Sequence, residues 1–167
     1  MRFVAFLPDS GSFLAVTDAG WVHHWRLEGT LIRSFGTGAA ADATRPNVDL
    51  SPDGTTLLVS GREGRPSLWS LQGEKGRVLA DPETSGDPYP STEAVRFSND
   101  GTTLQVQTLD TIQIWSRQGT LLQDMATTQG EPPATQNTSR DVLSPDGRWL
   151  VTVNEGKEVK LQLWKVP

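Results

Sequence analysis

Leu50-Ser51-Pro52-Asp53-Gly54-Thr55-Thr56-Leu57 leads to Leu68-Trp69, and the same order returns as Leu143-Ser144-Pro145-Asp146-Gly147-Arg148-Trp149-Leu150 leading to Leu163-Trp164. A variant, Phe97-Ser98-Asn99-Asp100-Gly101, leads to Ile114-Trp115. A looser copy, Phe6-Leu7-Pro8-Asp9-Ser10-Gly11, leads to Trp25. Asp9, Asp53, Asp100 and Asp146 follow one another at intervals of 44, 47 and 46 residues, and the four tryptophans at 44, 46 and 49. Glycine stands four residues beyond three of those tryptophans, at Gly29, Gly73 and Gly119. Four copies of one unit thus account for nearly the whole chain, and a repeat of this period redefines the fold.

Each copy reads as strands joined by turns. Val4/Phe6, Val48/Leu50 and Val95/Phe97 alternate with period two, the mark of a half-buried strand. Pro-Asp-Gly is a turn: proline presets φ, aspartate bonds its own backbone, and glycine accepts positive φ. A second strand follows it, a third ends in the tryptophan, and the glycine turn opens a fourth at residues 30–35, 77–79 and 120–122. The last unit has no fourth strand. No 3.6-residue apolar stripe is present, so the chain is expected to be all-β. It reads as one domain, 1–167, with units at about 3–35, 47–79, 94–125 and 141–167. Four-stranded antiparallel units at this spacing are β-propeller blades, the last lacking its outer strand.

The pattern Leu-Ser-Pro-Asp-Gly-x-x-Leu … Leu-Trp resembles the WD-repeat family across residues 3–167. The departures are systematic. Arg26, Ser70, Ser116 and Lys165 stand where the family has aspartate after tryptophan, and the opening Gly-His dipeptide is missing from every unit. Asp18, Glu63, Asp110 and Glu158 are imperfect counterparts of the family's structural aspartate. The family's hydrogen-bond tetrad cannot be assembled, so the blades must rely on apolar packing and turn chemistry. This divergent style is similar to the WD-repeat tails of bacterial signalling proteins. A second resemblance, to the shorter Pro-Asp-Gly repeat of periplasmic TolB-like propellers, fits the regular terminal tryptophan less well.

Composition narrows the function. The 167 residues carry 15 Lys+Arg against 20 Asp+Glu, a net charge of -5. That balance offers nothing to a phosphate backbone or an anionic membrane, so neither nucleic acid nor membrane is an expected partner. There is no cysteine, which excludes disulfides and thiolate chemistry. Met1-Arg2-Phe3-Val4 runs into Pro8 without the apolar core of a signal peptide, and a cytoplasmic location is expected.

The only histidines, His23 and His24, are adjacent on a strand, point to opposite faces and cannot chelate one metal as a pair. His24 occupies the position of Leu68, Ile114 and Leu163 in the other units and is expected in the core. The repeated aspartates are turn residues. Gly36-Thr37-Gly38 lacks the Lys-Ser/Thr of a phosphate loop, and no nucleophile motif is present. No catalytic residue, metal or cofactor is expected.

Positions that share a place in the repeat but vary in chemistry are better candidates. On the first strands these are Asp49 and Arg96. In the connections between second and third strands they are Asp18, Trp21, Arg62, Glu63, Asp110, Asn154 and Glu155. Trp21 is an aromatic in a turn, and rigid aromatics and arginines are the usual interface anchors. The resemblance implies a non-catalytic scaffold or sensor module that binds a protein or peptide on the loop-rich face. The alternative is an enzyme or small-ligand site in the central channel, using Asp49 and Arg96. Two structural expectations complete the reading. Pro66 lacks a ladder donor, so the third strand of the second unit should begin at or after it. The four units should also form an open arc with outward apolar residues Val4, Phe6, Leu150 and Leu161. Either continuation in a longer chain or a homodimeric ring would cover them.

Overall fold

The computed structural model describes residues 3–38, 46–61, 65–79, 92–108, 111–126, 142–144, 148–155 and 159–166, and their regular structure is all strand. Blade 1 is β1 (Phe3–Phe6), β2 (Ser12–Val16), β3 (Trp21–Arg26) and β4 (Leu31–Gly36). Blade 2 is β5 (Asn47–Leu50), β6 (Thr56–Ser60), β7 (Ser67–Ser70) and β8 (Lys75–Val78). Blade 3 is β9 (Thr92–Phe97), β10 (Thr103–Thr108), β11 (Thr111–Ser116) and β12 (Leu121–Ala126). Blade 4 is β13 (Val142–Leu143), β14 (Trp149–Glu155) and β15 (Val159–Lys165). Each is a separate antiparallel meander in chain order, three of four strands and the last of three. The innermost strands β1, β5 and β9 lie side by side, as propeller blades require.

The repeated turn explains itself in hydrogen bonds. Asp53 Oδ1 accepts from Ser51 Oγ at 2.6 Å, from the Thr55 amide at 3.0 Å and from Thr55 Oγ1 at 2.8 Å, while Ser51 Oγ accepts from the Thr56 amide. Asp100 repeats this with Ser98 and Thr102. Gly54 and Gly101 supply the left-handed residue, at φ 69° and 71°. In the looser first copy that slot falls to Ser10, at φ 52°, rather than to the following Gly11.

Strand register is the same in all four sheets. Phe13 pairs with both Phe6 and Trp25, Leu57 with Leu50 and Trp69, Leu104 with Phe97 and Trp115, and Leu150 with Leu143 and Trp164. Paired residues share a face, so every blade has a tryptophan face and an opposite face. The blades stack with one polarity. Leu57, Val59 and Trp69 of blade 2 bury themselves against Leu14, Val16 and Val22 of blade 1. Phe97, Leu104 and Trp115 of blade 3 do so against Leu58, Leu68 and Leu79 of blade 2. Trp164 and Val166 of blade 4 meet Ile112, Ile114 and Met125 of blade 3. Each fully buried side chain of this size stabilises by roughly 1.5–3 kcal/mol, against about 1 kcal/mol net for a turn hydrogen bond. Packing between blades therefore holds the array together more than the turns do.

Two of the repeated tryptophans satisfy their indoles differently. Trp69 Nε1 donates to Ser67 Oγ at 2.9 Å, two residues upstream on the same face. Trp115 Nε1, equally buried, has no partner, because Gln113 stands where Ser67 does and reaches Asp124 instead. Trp115→Phe discards an orphaned donor, whereas Trp69→Phe removes a hydrogen bond that Ser67 Oγ accepts, leaving that hydroxyl only its donation to the Val59 carbonyl. Urea unfolding is expected to show Trp69→Phe as the costlier change by about 1 kcal/mol; equal losses would contradict the indole geometry.

Two sequence expectations meet the structure here. β7 begins at Ser67, directly after Pro66, and has four residues where β3 and β11 have six. The Pro66 carbonyl still serves the sheet by accepting from the Leu79 amide. His24 is half-buried rather than fully enclosed. Its Nε2 is shielded without a hydrogen-bond partner, and burial lowers its pKa against the opposing pull of Asp9.

Candidate interaction surface

The strands end on two rims. One carries the aspartate turns of blades 1–3 and the glycine turns after Trp25, Trp69 and Trp115. The other carries the β2–β3 turn, where the Gly20 amide donates to the Thr17 carbonyl. The described candidate residues do not converge: two lie on the second rim, two on inner strands and two in β14.

Asp18 and Trp21 lie on the second rim. Asp18 is exposed in the β2–β3 turn. Trp21 is not a turn residue but the first residue of β3, and its amide donates to Thr17 Oγ1 at 3.1 Å. Its ring lies against Gly36, where an added Cβ would sit 3.7 Å from Cε2, and the ring stays 49% exposed. The Gly20 carbonyl accepts from both the amide and the hydroxyl of Thr37, which fixes this corner. Arg62, Glu63 and Asp110 lie outside the described residues. Asn154 and Glu155 belong to β14, paired with Lys160 and Val159, and not to a connection. The alternating pattern ahead of them extends the strand two residues further than the turn reading allows.

Asp49 and Arg96 occupy equivalent positions on the neighbouring inner strands β5 and β9. Arg96 is exposed. Asp49 is a tie between blades: Oδ2 accepts from the Phe97 amide at 2.7 Å and Oδ1 from the Leu50 amide at 3.0 Å. Burial raises its pKa, opposed by those two amides and by the charge of Arg96. Both oxygens are thus engaged by backbone, which gives this carboxylate a structural task. Among the described residues, no cluster of three His, Asp or Glu could hold a metal ion.

The first rim holds a second inter-blade tie that the sequence does not single out. Arg117, in the turn after Trp115, pairs with Asp53 at 2.7 Å and donates to Thr55 and Thr56 hydroxyls at 3.1 Å each. The Arg117 guanidinium, with help from Ser51 and Thr55, holds the Asp53 carboxyl far below the usual range. The Ser98 hydroxyl, then Thr102, lowers Asp100. A depressed carboxyl contributes stability above its unfolded pKa of about 3.9, and that contribution is lost as pH falls through the folded value. Asp49 has the opposite sign, but it is one group with two opposing amides. The urea midpoint is therefore expected to slip below about pH 6.5, where unfolding lets the burial-lowered His24 take up a proton, and to fall further below about pH 4, and Asp53→Asn should blunt only the second fall. An identical acid profile for Asp53→Asn would show that the tie does not contribute.

The largest departure from a closed surface is the tryptophan face of blade 1. Register places Val4, Phe6, Phe13, His23 and Trp25 on it. Phe6 is 67% exposed and meets Phe13 edge-on at 6.3 Å, while His23 Nδ1 is paired with Ser34 Oγ at 2.9 Å. Among the described residues of blade 4, Trp149 and Leu163 are exposed apolar side chains. The side chains of Leu150 and Leu161 lie outside the described residues.

No family model matches the chain. The WD repeat-containing protein slr1409 of the bacterium Synechocystis sp. is 36% identical over 73 residues, which is 44% of this chain and 22% of that protein. The chain therefore spans a minor part of its relative's length. The repeated four-stranded blades and their one stacking polarity are those of a β-propeller array, similar over part of its length to a bacterial WD repeat-containing protein.

Proposed function

We propose that this chain is a non-catalytic scaffold or sensor module that binds a protein or peptide through the rim carrying Asp18 and Trp21. The observation that carries the reading is Trp21, a large aromatic half exposed on a rim whose backbone is locked by Gly20 and Thr37. An exposed, rigidly mounted indole beside a carboxylate suits a partner segment offering an apolar side chain and a basic group. The similarity to a WD repeat-containing protein supports a partner-holding role over chemistry. An enzymatic site around Asp49 and Arg96 is disfavoured because both Asp49 oxygens already accept backbone amides. Trp21→Ala removes the indole from a place where the core does not need it. Immobilised wild-type chain should retain partners from a bacterial lysate that the variant loses by at least about tenfold, at unchanged thermal stability. Identical retention by the two proteins would refute this rim as the binding surface.

A further inference from the structure

The three blade junctions within this chain do not carry the same chemistry. Five residues beyond the repeated aspartates stand Leu14, Leu58 and Gln105, on the face that each blade turns to the next. Leu14 pairs there with His24, Leu58 with Leu68 and Gln105 with Ile114. Leu14 and Leu58 are fully buried in the apolar clusters of the first two junctions. Gln105 is 2% exposed, beside an Ile114 that meets blade 4, and its Oε1 has no hydrogen-bond partner.

Eight residues beyond the tryptophans the contrast returns. Arg33 of blade 1 donates to the Gln72 carbonyl of blade 2 at 3.1 Å, and Arg77 of blade 2 lies over Gly119 of blade 3. Gln123 holds that place in blade 3, paired with Ile114, and its shielded Oε1 is a second acceptor without a donor. Such an acceptor has lost its hydration for nothing in return, whereas a leucine in its place gains by burial.

Two ties that join blade 2 to blade 3 have no chemical counterpart one junction on. Asp49 takes the Phe97 amide, but its equivalent on β9 is Arg96, whose guanidinium has no acceptor to offer the Leu143 amide. Arg117 reaches back to Asp53, but its equivalent, two residues beyond Trp164, is Val166, which brings no charge to Asp100. The apolar cluster of Ile112, Ile114, Met125, Trp164 and Val166 has to hold this junction against two stranded acceptors.

We infer that the array opens here: blade 4 parts from blade 3 in a local equilibrium while blades 1 to 3 stay closed. Both faces of this junction lie within the chain, so the opening does not depend on what covers the outer blades. It gives water to Gln105 and Gln123, and it uncovers Ile112, Ile114 and Met125 as an apolar strip that the closed array hides. Local openings of this kind lie well below global unfolding in free energy.

The chain has no cysteine, so a single introduced thiol reports opening through its alkylation rate. Ile114→Cys and Leu68→Cys put that thiol at equivalent strand positions, facing blade 4 and blade 3 respectively, where the native residues are 0% and 7% exposed. Under native conditions Ile114→Cys should react with iodoacetamide at least about 30-fold faster than Leu68→Cys, and faster than global unfolding of the same variant allows. Met125→Cys against Leu79→Cys repeats the comparison at a second pair of equivalent positions, should either first variant fail to fold. Gln105→Leu gives blade 3 the residue of blades 1 and 2 and should slow the Ile114→Cys reaction at least about tenfold. Gln118→Leu, in an exposed turn, should leave it unchanged. Equal rates at equivalent thiols, reaction only at the rate of global unfolding, or indifference to Gln105→Leu would each overturn an opening at this junction.

Discussion

Gly54→Ala is expected to destabilise the chain by about 3 kcal/mol or more, among the larger losses a single methyl group can cause. Two penalties combine at this position. Gly54 sits at φ 69°, where a Cβ-bearing residue other than Asn or Asp costs about 1–2 kcal/mol. The new methyl would also lie 2.4 Å from Pro8 Cδ and 3.0 Å from Pro8 Cγ, atoms of a rigid ring in the neighbouring blade. Proline has no rotamer to yield, so the blades themselves must part, and with them the Leu14–Leu57–Trp69 cluster loosens. Gly101→Ala shares the backbone penalty at φ 71°, but its methyl would meet Pro52 Cδ at 3.4 Å, an ordinary contact. The difference between the two variants thus isolates the junction. Urea unfolding should place Gly54→Ala well below Gly101→Ala, by about 1–2 kcal/mol for the overpacking. Equal losses would mean that only the turn, and not the fit between blades, constrains the glycine.

What is legible in the sequence follows the same division between local and inter-blade physics. The Ser-x-Asp-Gly-Thr turn is a closed hydrogen-bond unit within six residues, so its signature survives in the letters, and Pro66 bounds β7 through its own missing donor. The repeated tryptophan is readable as a blade marker. Other features depend on which blade stands next door, and no spacing within one unit reports that. Asp49 reads as a channel carboxylate in the letters, yet the Phe97 amide of the next blade lies 2.7 Å from it. The Arg117–Asp53 pair joins a turn aspartate present in every repeat to an arginine found at its position in one repeat only, in a different blade, so no pattern flags it. His24 carries a core address in the repeat but is only half-buried at the array's first junction. Trp21 stands out in the letters as an aromatic off the repeat, and its exposure agrees, although it opens a strand and not a turn. The paired register of the sheets shows that Trp25 occupies the same face as Trp69 and Trp115 without their burial.

That equivalence makes tryptophan truncation the sharpest comparison the fold offers. Trp115 is 1% exposed between blades 2 and 3, packed with Leu58, Leu68 and Leu104. Trp115→Ala should cost about 3–5 kcal/mol, the loss of a large buried ring plus the cavity it leaves. For a domain of this size that is comparable with the whole of a marginal stability, and unfolding at ordinary temperature is the expected result. Trp25 has the same strand position and the same pairing with a second-strand aromatic or leucine, but its side chain is only half-buried. In the isolated monomer the loss at Trp25→Ala should fall to less than half of that at Trp115→Ala, because the solvent-facing part of the ring has no packing to lose. Guanidinium unfolding of the two variants measures the difference, and losses of equal size would show that Trp25 is packed as completely as Trp115.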